Sequence, residues 1–517
     1  MDRRQLMKAG LAGALFAPVP WAQVWAQGQD GALKLLKAPK VALVVGNSKY
    51  KDAPELKNPA NDAAAIAAQL KASGFAVTTK LDTGKEELIQ AIRDYVHAME
   101  KQQAVGLFYF AGHGVQLDWR NYMLPVDAVI DKIEDVAAQS VEIARLMEGL
   151  TKAKNPMNVI ILDACRENPF GETKKPAQKG LSQMDAPTST FLAYATSPGN
   201  VASDGSGTNG LYTEHLLRER KVPEAKIEDI FKRVRLGVRR ASNGSQIPWE
   251  STSLEDDFWF QPPAQLKKIT EDEKARLFKE EAALWDRAKD AKDPKPLEEY
   301  LRRYPSGNFT ELAQLRLDGI LAQQGEKKVE VVKQEGNPFS KGTVNADTKY
   351  KVGDTYTYNV MDLHSRAVQR QEVAAVTEIT GSEVRYSNGL ITDLLGNQLR
   401  ARDGRIFSPS QFTPLEYAVG KRWRTRFTVT VQGYTGDNEL EFHIAARERI
   451  TVPAGTFEAF RIEAKGHGQT PKGILEINIT GWIAPDVCRR PIARNDRRTT
   501  RFGGVAIRDE LVSFKQG

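Results

Sequence analysis

Two reactive side chains follow β-rich runs in the first half of the sequence. Residues 107–110 lead into His113, and residues 159–162 lead into Cys165. A thiol with an imidazole about fifty residues upstream suits peptide-bond hydrolysis, because the thiolate attacks the carbonyl carbon while the imidazole transfers the protons. The glycines on both sides of His113 would let a substrate backbone approach the ring closely. Cys165 and His113 are therefore the candidate nucleophile and general base.

The segments that would position these residues alternate between β-rich runs and helical patterns from residue 40 to residue 262. This alternation predicts βαβ units and a mostly parallel sheet flanked by helices. The predicted strands are residues 41–45, 76–81, 105–110, 159–162 and 191–195, and the predicted helices are residues 61–72, 85–101 and 141–151 with two more after residue 210. Ligands bind at the carboxyl ends of such strands, where His113 and Cys165 are both expected. The alternative is that the cysteine is a buried core residue and the histidine a hydrogen-bonded one. This alternative would be favoured if both residues lay inside the strands.

Five motifs carry a resemblance to a known family. They are residues 41–47, 110–114, 163–166, 192–199 and 247–250. Together they resemble the caspase-like peptidase family, in its bacterial metacaspase-like branch, over about residues 40–260. The resemblance implies a cysteine-type endopeptidase that acts on proteins or peptides through a thioester acyl-enzyme. It also implies that His113 is the base, that Cys165 is the nucleophile, and that the backbone N–H groups of Gly114 and Cys165 form the oxyanion hole.

The same resemblance assigns the substrate-binding residues. Asp163, two positions before the cysteine, stands where animal caspases carry glutamine, and this departure favours the metacaspase-like branch. In that branch the positions of Asp163 and Asp62 line the S1 pocket, and Asp204 is a weaker third candidate. Carboxylates that share a pocket favour a cation, so cleavage after Arg or Lys is expected. Without such a pocket, Asp62 would support a helix N-terminus and Asp163 would bond a neighbouring loop.

Metal sites have little support in the sequence. Asp127, Asp131 and Asp135 follow the histidine at places that vaguely resemble the calcium site of some metacaspases. The cluster lacks an adjacent acidic pair, and calcium needs six or more oxygen ligands. The six histidines are dispersed, and Cys165 has no second cysteine at zinc-ligand spacing. We therefore expect no metal or other cofactor, with calcium activation as a minor alternative.

The stretch from residue 171 to residue 187 is rich in Lys, Pro and Gln, which is typical of a surface loop. In caspase relatives this region holds the processing site between the large and small parts. Lys174, Lys175 and Lys179 would permit self-cleavage if the enzyme cuts after basic residues. A solvated loop that stays uncut is an equal alternative.

The N-terminal residues 1–27 have the pattern of an export signal. Arg3 and Arg4 precede a short apolar run, and residues 24–26 form a small-residue cleavage pattern. The adjacent arginines resemble a twin-arginine signal, which exports folded proteins. Pro18 and Pro20 leave too few apolar residues for a membrane-spanning helix. We expect a protein without an integral membrane span, located in the periplasm or outside the cell.

Three further segments follow the caspase-like domain, which is expected to span residues 38–262. Residues 266–324 are helical and strongly charged, and they predict a helix hairpin of tetratricopeptide-like character that serves as a spacer. Residues 325–347 form a polar linker. Residues 348–517 alternate apolar and polar residues with frequent turns, which predicts a β-sandwich or a partly closed barrel. This tail resembles β-rich domains of unknown role in bacterial periplasmic proteins.

The charge pattern argues against nucleic-acid binding. The net charge is +7 from 73 basic and 66 acidic residues, and the basic residues are scattered along the chain. The basic stretch 489–501 is interpreted as a solvated face rather than as a contact with an anionic surface or polymer. Two distant cysteines, Cys165 and Cys488, do not indicate a disulfide framework.

The sequence thus predicts an exported cysteine endopeptidase with helical and β-rich additions. The alternative is a non-catalytic envelope protein whose caspase-like domain is a scaffold and whose helical and β-rich parts bind partner proteins. The presence of both His113 and Cys165 argues against this alternative, because inactive relatives of enzymes normally lose a catalytic residue.

Overall fold

The computed structural model describes residues 22–165, 169–170, 180–200, 202, 207–266, 269–329, 336–471 and 473–517, with residues 22–29 and Cys165 described by their backbone alone. The proposed export signal, residues 1–27, therefore lies almost wholly outside the described residues. Helix α1 (Ala22–Lys37) begins inside it, and Leu35 of this helix is buried in the core of the first domain. Over the described part of the chain, no helix has the length and apolarity that a membrane span requires.

The first domain is built on a central sheet to which the described residues contribute eight strands, β1 to β8, with a main order of β2-β1-β3-β6-β7-β8. The strands are β1 (Lys40–Gly46), β2 (Ala76–Leu81), β3 (Val105–Leu117), β4 (Arg120–Met123), β5 (Val141–Glu142), β6 (Met157–Cys165), β7 (Thr190–Tyr194) and β8 (Trp249–Thr252). The helices that follow α1 are α2 (Pro59–Ala72), α3 (Lys85–Gln102), α4 (Asp135–Gln139), α5 (Ile143–Ala153), α6 (Leu211–Glu219) and α7 (Ile227–Ala241). Strands β1, β2, β3, β6 and β7 are parallel, which confirms the predicted mostly parallel sheet.

The central strands are buried along almost their whole length because helices cover both faces of the sheet. Every residue of β7 is buried, and so is every residue of β3 before Leu117. Helix α2 packs with α6, and α3 packs with α5, so the helices form two groups on the sheet. A strand with both faces covered shows a continuous apolar run rather than an alternating pattern.

Residues 269–329, all of which the structure describes, contain three helices where the sequence predicts a hairpin. They are α8 (Glu271–Ala288), α9 (Pro294–Arg303) and α10 (Thr310–Gln323). The short α9 forms because Pro294 stands at its first position and the Asp293 carboxylate accepts a hydrogen bond from the backbone N–H of Lys295. In the shared core, Trp285 stacks on Phe309 with 5.7 Å between ring centroids.

The C-terminal domain is a closed antiparallel barrel, and the described residues from 336 onward supply its twelve strands. These are β10 (Thr355–Asp362), β11 (Val368–Ile379), β12 (Glu383–Tyr386), β13 (Ile391–Asp393), β14 (Gln398–Arg400), β15 (Ile406–Phe407), β17 (Arg422–Val431), β18 (Tyr434–Val452), β19 (Gly455–Thr470), β20 (Gly473–Ile483), β21 (Ala493–Thr500) and β22 (Gly503–Lys515). A separate two-stranded ladder joins β9 (Val344–Asn345) to β16 (Glu416–Tyr417). Pairing of β10 with β22 closes the ring, and two apolar clusters fill it.

The helical unit is joined to both neighbouring domains by ion pairs. Arg239 on α7 is 3% exposed, and its guanidinium group binds the carboxylates of Asp318 on α10 and of Glu326 just after α10. On the other side, Glu311 of α10 binds Lys421 next to β17 with an N–O distance of 3.0 Å. The helices are therefore in contact with the first domain and with the barrel.

We predict that Arg239→Ala destabilises the chain by about 3 kcal/mol, because it leaves two carboxylates without their buried cation. Arg276→Ala is the control, since Arg276 forms an exposed pair with Glu280 of the kind that contributes about 0.3 to 0.5 kcal/mol. The measurement is the urea midpoint of unfolding, followed by tryptophan fluorescence. Equal midpoints for the two variants would show that the Arg239 pairs do not hold the helical unit in place.

Candidate active site

The pairing of β3 with β6 brings the histidine and the cysteine together. Ala111 lies directly opposite Asp163, and after a shift in register Gly114 lies directly opposite Cys165. His113 is thus one residue from the position facing Cys165, on the neighbouring strand at the centre of the sheet. The sequence predicts both residues at the carboxyl ends of strands; the structure places Cys165 at the end of β6 and His113 beside it on β3.

His113 nevertheless lies inside a strand, which corrects the expectation that β3 ends at residue 110. The parallel pairing of β1 with β3 ends at Ala111, and β3 then continues to Leu117 as one arm of a hairpin with β4. A side chain added at Gly114 would place its Cβ 2.5 Å from the backbone oxygen of Ala164. Glycine is therefore needed at position 114 for β3 to approach β6 this closely.

The imidazole of His113 is held by two residues of the loop after β1. Its Nε2 lies 2.8 Å from the backbone oxygen of Pro54, and the Tyr50 ring is 4.6 Å away between centroids. The Tyr50 hydroxyl also accepts a hydrogen bond from the backbone N–H of His113, at 2.8 Å. Because a carbonyl oxygen only accepts hydrogen bonds, Nε2 carries the ring proton and Nδ1 carries the lone pair of the neutral imidazole. Nδ1 is therefore the basic nitrogen.

Neither Tyr50 nor Pro54 was predicted from the sequence as part of the site. The contribution of Pro54 is a backbone oxygen, which any residue could supply. The role of Tyr50 is linked to the glycine at position 112, because a Cβ added to Gly112 would lie 2.5 Å from the Tyr50 hydroxyl oxygen. The sequence alone does not reveal this link.

The two carboxylates assigned to the substrate pocket both lie at the N-terminal end of α6. Asp62, 1% exposed, accepts hydrogen bonds from the side-chain amide of Asn209 at 2.8 Å and from the backbone N–H of Gly210 at 3.0 Å. Asp163, 5% exposed, accepts a hydrogen bond from the Thr213 hydroxyl at 2.9 Å. The partial positive charge at a helix N-terminus stabilises nearby carboxylates, so α6 contributes to holding both.

Tyr109 is buried beside Asp163, with its hydroxyl 3.4 Å from an oxygen of that carboxylate. Its hydroxyl lies 2.7 Å from the Thr213 hydroxyl. Burial raises the pKa of Tyr109 well above its usual range, and the charges of Asp163 and Asp62 raise it further. The contacts to α6 also agree with the structural roles that the sequence left open for these residues.

Asp204, the third candidate for the pocket, lies outside the described residues. The residues that follow it are described from Gly207 onward, and there the backbone oxygen of Thr208 accepts a hydrogen bond from Asn61, at 3.2 Å. Residue Thr208 therefore lies beside the start of α2, where Asp62 lies.

A segment at residues 181–186 supports the β3 hairpin next to the site. Leu181 is fully buried, and its methyl group would lie 3.2 Å from a Cβ added to Gly114. Ser182 and Asn121 of β4 exchange hydrogen bonds of 2.7 and 2.8 Å. This segment is the described end of the predicted processing loop, whose residues 171–179 lie outside the described residues together with Lys174, Lys175 and Lys179.

The segment 181–186 is in turn held by residues 336–343, which we call the strap. The Asp185 carboxylate accepts hydrogen bonds from the hydroxyl of Ser340 and the backbone N–H of Lys341, both at 2.7 Å. The backbone N–H of Asp185 donates to the oxygen of Phe339 at 3.0 Å, and the Phe339 ring packs against the core of the first domain. The strap therefore ties the stretch before the barrel to the surroundings of Gly114.

The aspartates considered for calcium have other contacts. Asp127 accepts a hydrogen bond from the backbone N–H of Lys85 at the start of α3, and Asp135 accepts bonds from the backbone N–H groups of Asp131 and Lys132. Among the residues that the structure describes, no group of three or more His, Cys, Asp or Glu side chains is placed to hold a metal ion.

The second cysteine is poorly suited to nucleophilic chemistry. Cys488 is buried in the barrel core, and burial raises the pKa of its thiol to about 11. A thiol with a raised pKa supplies very little thiolate at neutral pH. Cys165 therefore remains the candidate nucleophile.

Comparison with known proteins agrees with this architecture. The family model of the caspase domain matches residues 39–259. The human mucosa-associated lymphoid tissue lymphoma translocation protein 1 is 28% identical over 231 residues, which are 44% of this chain and 27% of that protein, and its mouse homologue gives the same figures. The chain thus aligns with about a quarter of the length of these relatives. On the matched motifs, the sheet and its flanking helices, residues 39–259 form a caspase-like domain.

Proposed function

We propose that the chain is a cysteine endopeptidase with Cys165 as nucleophile and His113 as general base. The observation that carries this proposal is the register of β3 on β6, which sets Gly114 opposite Cys165 and His113 beside it. The hydrogen bond from Nε2 of His113 to Pro54 supports it further, because it leaves Nδ1 as the basic nitrogen. A nucleophile, a base and a third group that orients the base are then all present.

In the proposed reaction, His113 Nδ1 takes the thiol proton and the Cys165 sulfur attacks the scissile carbonyl carbon. The oxyanion that forms would be stabilised by the backbone N–H groups of Gly114 and Cys165, each contributing about 3 to 4 kcal/mol. The imidazolium ion then protonates the leaving amine, and a thioester remains on Cys165. Water hydrolyses this thioester with His113 again acting as base. The Pro54 oxygen can accept a hydrogen bond from Nε2–H in both the neutral and the protonated ring.

We propose that the enzyme cleaves after Arg or Lys. The support is that Asp62 and Asp163 both accept hydrogen bonds from residues at the start of α6, together with the match of both positions to the metacaspase-like pattern. A cationic substrate side chain would lower the repulsion between two neighbouring carboxylates. Asp204 remains a third candidate for this pocket, and calcium activation remains a minor alternative to a reaction without cofactors.

A non-catalytic scaffold is the second candidate. The observation that favours it is that Asp62 and Asp163 already bond α6, so both carboxylates have a structural use without any substrate. In that case the helical unit and the barrel would bind envelope partners.

Hydrolysis of paired peptides ending in Arg or Asp tests the peptidase proposal. We expect the Arg peptide to be cut, and Cys165→Ala and His113→Ala each to lose roughly a thousandfold or more of the activity. Cys488→Ala is the control that keeps the activity, because its thiol is buried in the barrel. If the native chain cuts neither peptide, with or without calcium, the scaffold candidate replaces the peptidase.

The pocket assignment is tested separately by Asp62→Asn and Asp163→Asn. Asparagine keeps an acceptor oxygen for the contacts to α6 and removes the charge. We expect kcat/KM for Arg peptides to fall by roughly tenfold to a hundredfold, since a hydrogen bond to a charged group contributes about 1.5 to 3 kcal/mol. The rate at which iodoacetamide alkylates Cys165 should stay unchanged in both variants. Asp94→Asn is the control, because Asp94 lies on the exposed face of α3, and its alkylation rate should also stay unchanged. Unchanged kcat/KM in both pocket variants would remove Asp62 and Asp163 from substrate binding.

Finally, we propose export by a twin-arginine signal to the periplasm or the outside of the cell. Changing Arg3 and Arg4 together to lysine should retain the protein in the cytoplasm, because such signals are read through the arginine pair. Cell fractionation of a tagged chain measures this. Export of the double-lysine chain at the native level would exclude the twin-arginine route.

A further inference from the structure

Every second turn along the chain lies at the same end of the barrel. In a closed antiparallel sheet, the turns β10–β11, β19–β20 and β21–β22 all lie at the same end, since the connections between them lie at the other. The register agrees, because Met361 pairs with Val368, Thr470 with Gly473 and Thr500 with Gly503. These six strands are neighbours in the ring, so the three turns stand side by side.

Large apolar side chains are exposed at this end. Ile474 is 68% exposed, Phe502 66%, Val505 61% and Val368 53%. We call these four residues the rim. Single exposed apolar side chains are common on protein surfaces, but a group that comes from three adjacent turns marks an interaction site.

The turns at the same end carry several arginines, two of which are paired with carboxylates: Arg402 with Glu372 and Arg405 with Asp403. The turn between β14 and β15 also lies here, because Ile406 pairs with Thr430, next to the β17–β18 turn. The described turn residues 363–367, 401–405, 432–433, 471 and 501–502 contain four arginines, at positions 366, 402, 405 and 501, against one acidic residue, Asp403. The Arg501 guanidinium group lies over the Phe502 ring, 4.6 Å from the ring centroid.

This placement revises the interpretation of the basic stretch 489–501 as a uniform solvated face. Arg489 binds Asp347 and Asp354, and Arg498 binds Asp496 in a two-point contact. These arginines are therefore engaged in ion pairs within the C-terminal domain, and Arg489 joins the segment before β21 to the residues before β10. Arg501, at the end of the stretch, belongs to the turn that carries Phe502.

We propose that the rim docks the protein on the surface of an anionic lipid bilayer. Apolar side chains at the tips of turns can enter the boundary between headgroups and acyl chains, while arginines beside them bind lipid phosphates. A soluble anionic polymer would use the arginines and leave the four apolar tips in water. The bilayer is the partner that accommodates both features.

The caspase-like domain contacts the opposite end of the barrel, so docking would not obstruct it. Gly420, just before β17, lies so close to the Thr252 backbone oxygen that an added Cβ would be 2.8 Å away. Strand β17 runs from there toward the turn at residues 432–433, which is at the rim end. Docking by the rim would therefore hold the proposed active site away from the lipid.

The test is co-sedimentation of the full chain with vesicles of phosphatidylcholine alone and of phosphatidylcholine mixed with phosphatidylglycerol. The Cys165→Ala background makes the result independent of the proposed peptidase activity. We expect binding to the mixed vesicles only, and a loss of tenfold or more in affinity for Phe502→Asp and for Ile474→Asp. Val352→Asp is the matched control, because Val352 is also 66% exposed but lies in the turn before β10, at the opposite end. Arg501→Gln should weaken binding, and added salt should weaken it further.

Two results would overturn the proposal. One is the absence of binding to mixed vesicles. The other is equal binding by Phe502→Asp, Ile474→Asp and Val352→Asp, since a contact that depends on Arg501 alone would be purely electrostatic and would suit an anionic polymer. Unchanged thermal midpoints for the two rim variants would show that a loss of binding does not come from unfolding.

Discussion

The pairing of β3 with β6 is the constraint on which the candidate site depends. These two strands lie at the centre of the sheet, and their buried apolar side chains fix the register. A slip by one residue would turn every side chain to the other face of the sheet. The shift between Ala111 and Gly114 is therefore a defined feature, because it brings Gly114 opposite Cys165 at the point where the parallel ladder ends.

The polar parts of the site are attached to this frame from several distant segments. The loop after β1 orients the His113 ring, the start of α6 binds Asp62 and Asp163, and the segment 181–186 fills the space beside Gly114. The contacts of His113, Asp62 and Asp163 each bury a polar group together with a partner, as buried polar groups require. The sheet provides the positions, and these attached segments provide orientation and charge.

Much of the first domain could be predicted because its strands and helices have clear periodic patterns. The predicted strands 41–45, 76–81 and 191–195 agree with β1, β2 and β7 to within one residue at each end. Short elements such as β5, with two residues, have too little sequence to show a pattern. Closure of the barrel depends on the pairing of β10 with β22, which are about 150 residues apart, and local alternation contains no information on such pairing. For the same reason, local patterns do not predict the approach of Asp62 to Gly210, which is 148 residues away in the chain.

The strap gives the order of synthesis a role in forming the site. Asp185 and Ser340 are 155 residues apart in the chain. At translation rates of about 5 to 20 residues per second, the ribosome needs roughly ten to thirty seconds to pass from one to the other. During that interval the segment beside Gly114 lacks the hydrogen bonds that Asp185 makes to the strap. A chain that stops at the end of the caspase-like domain never acquires them.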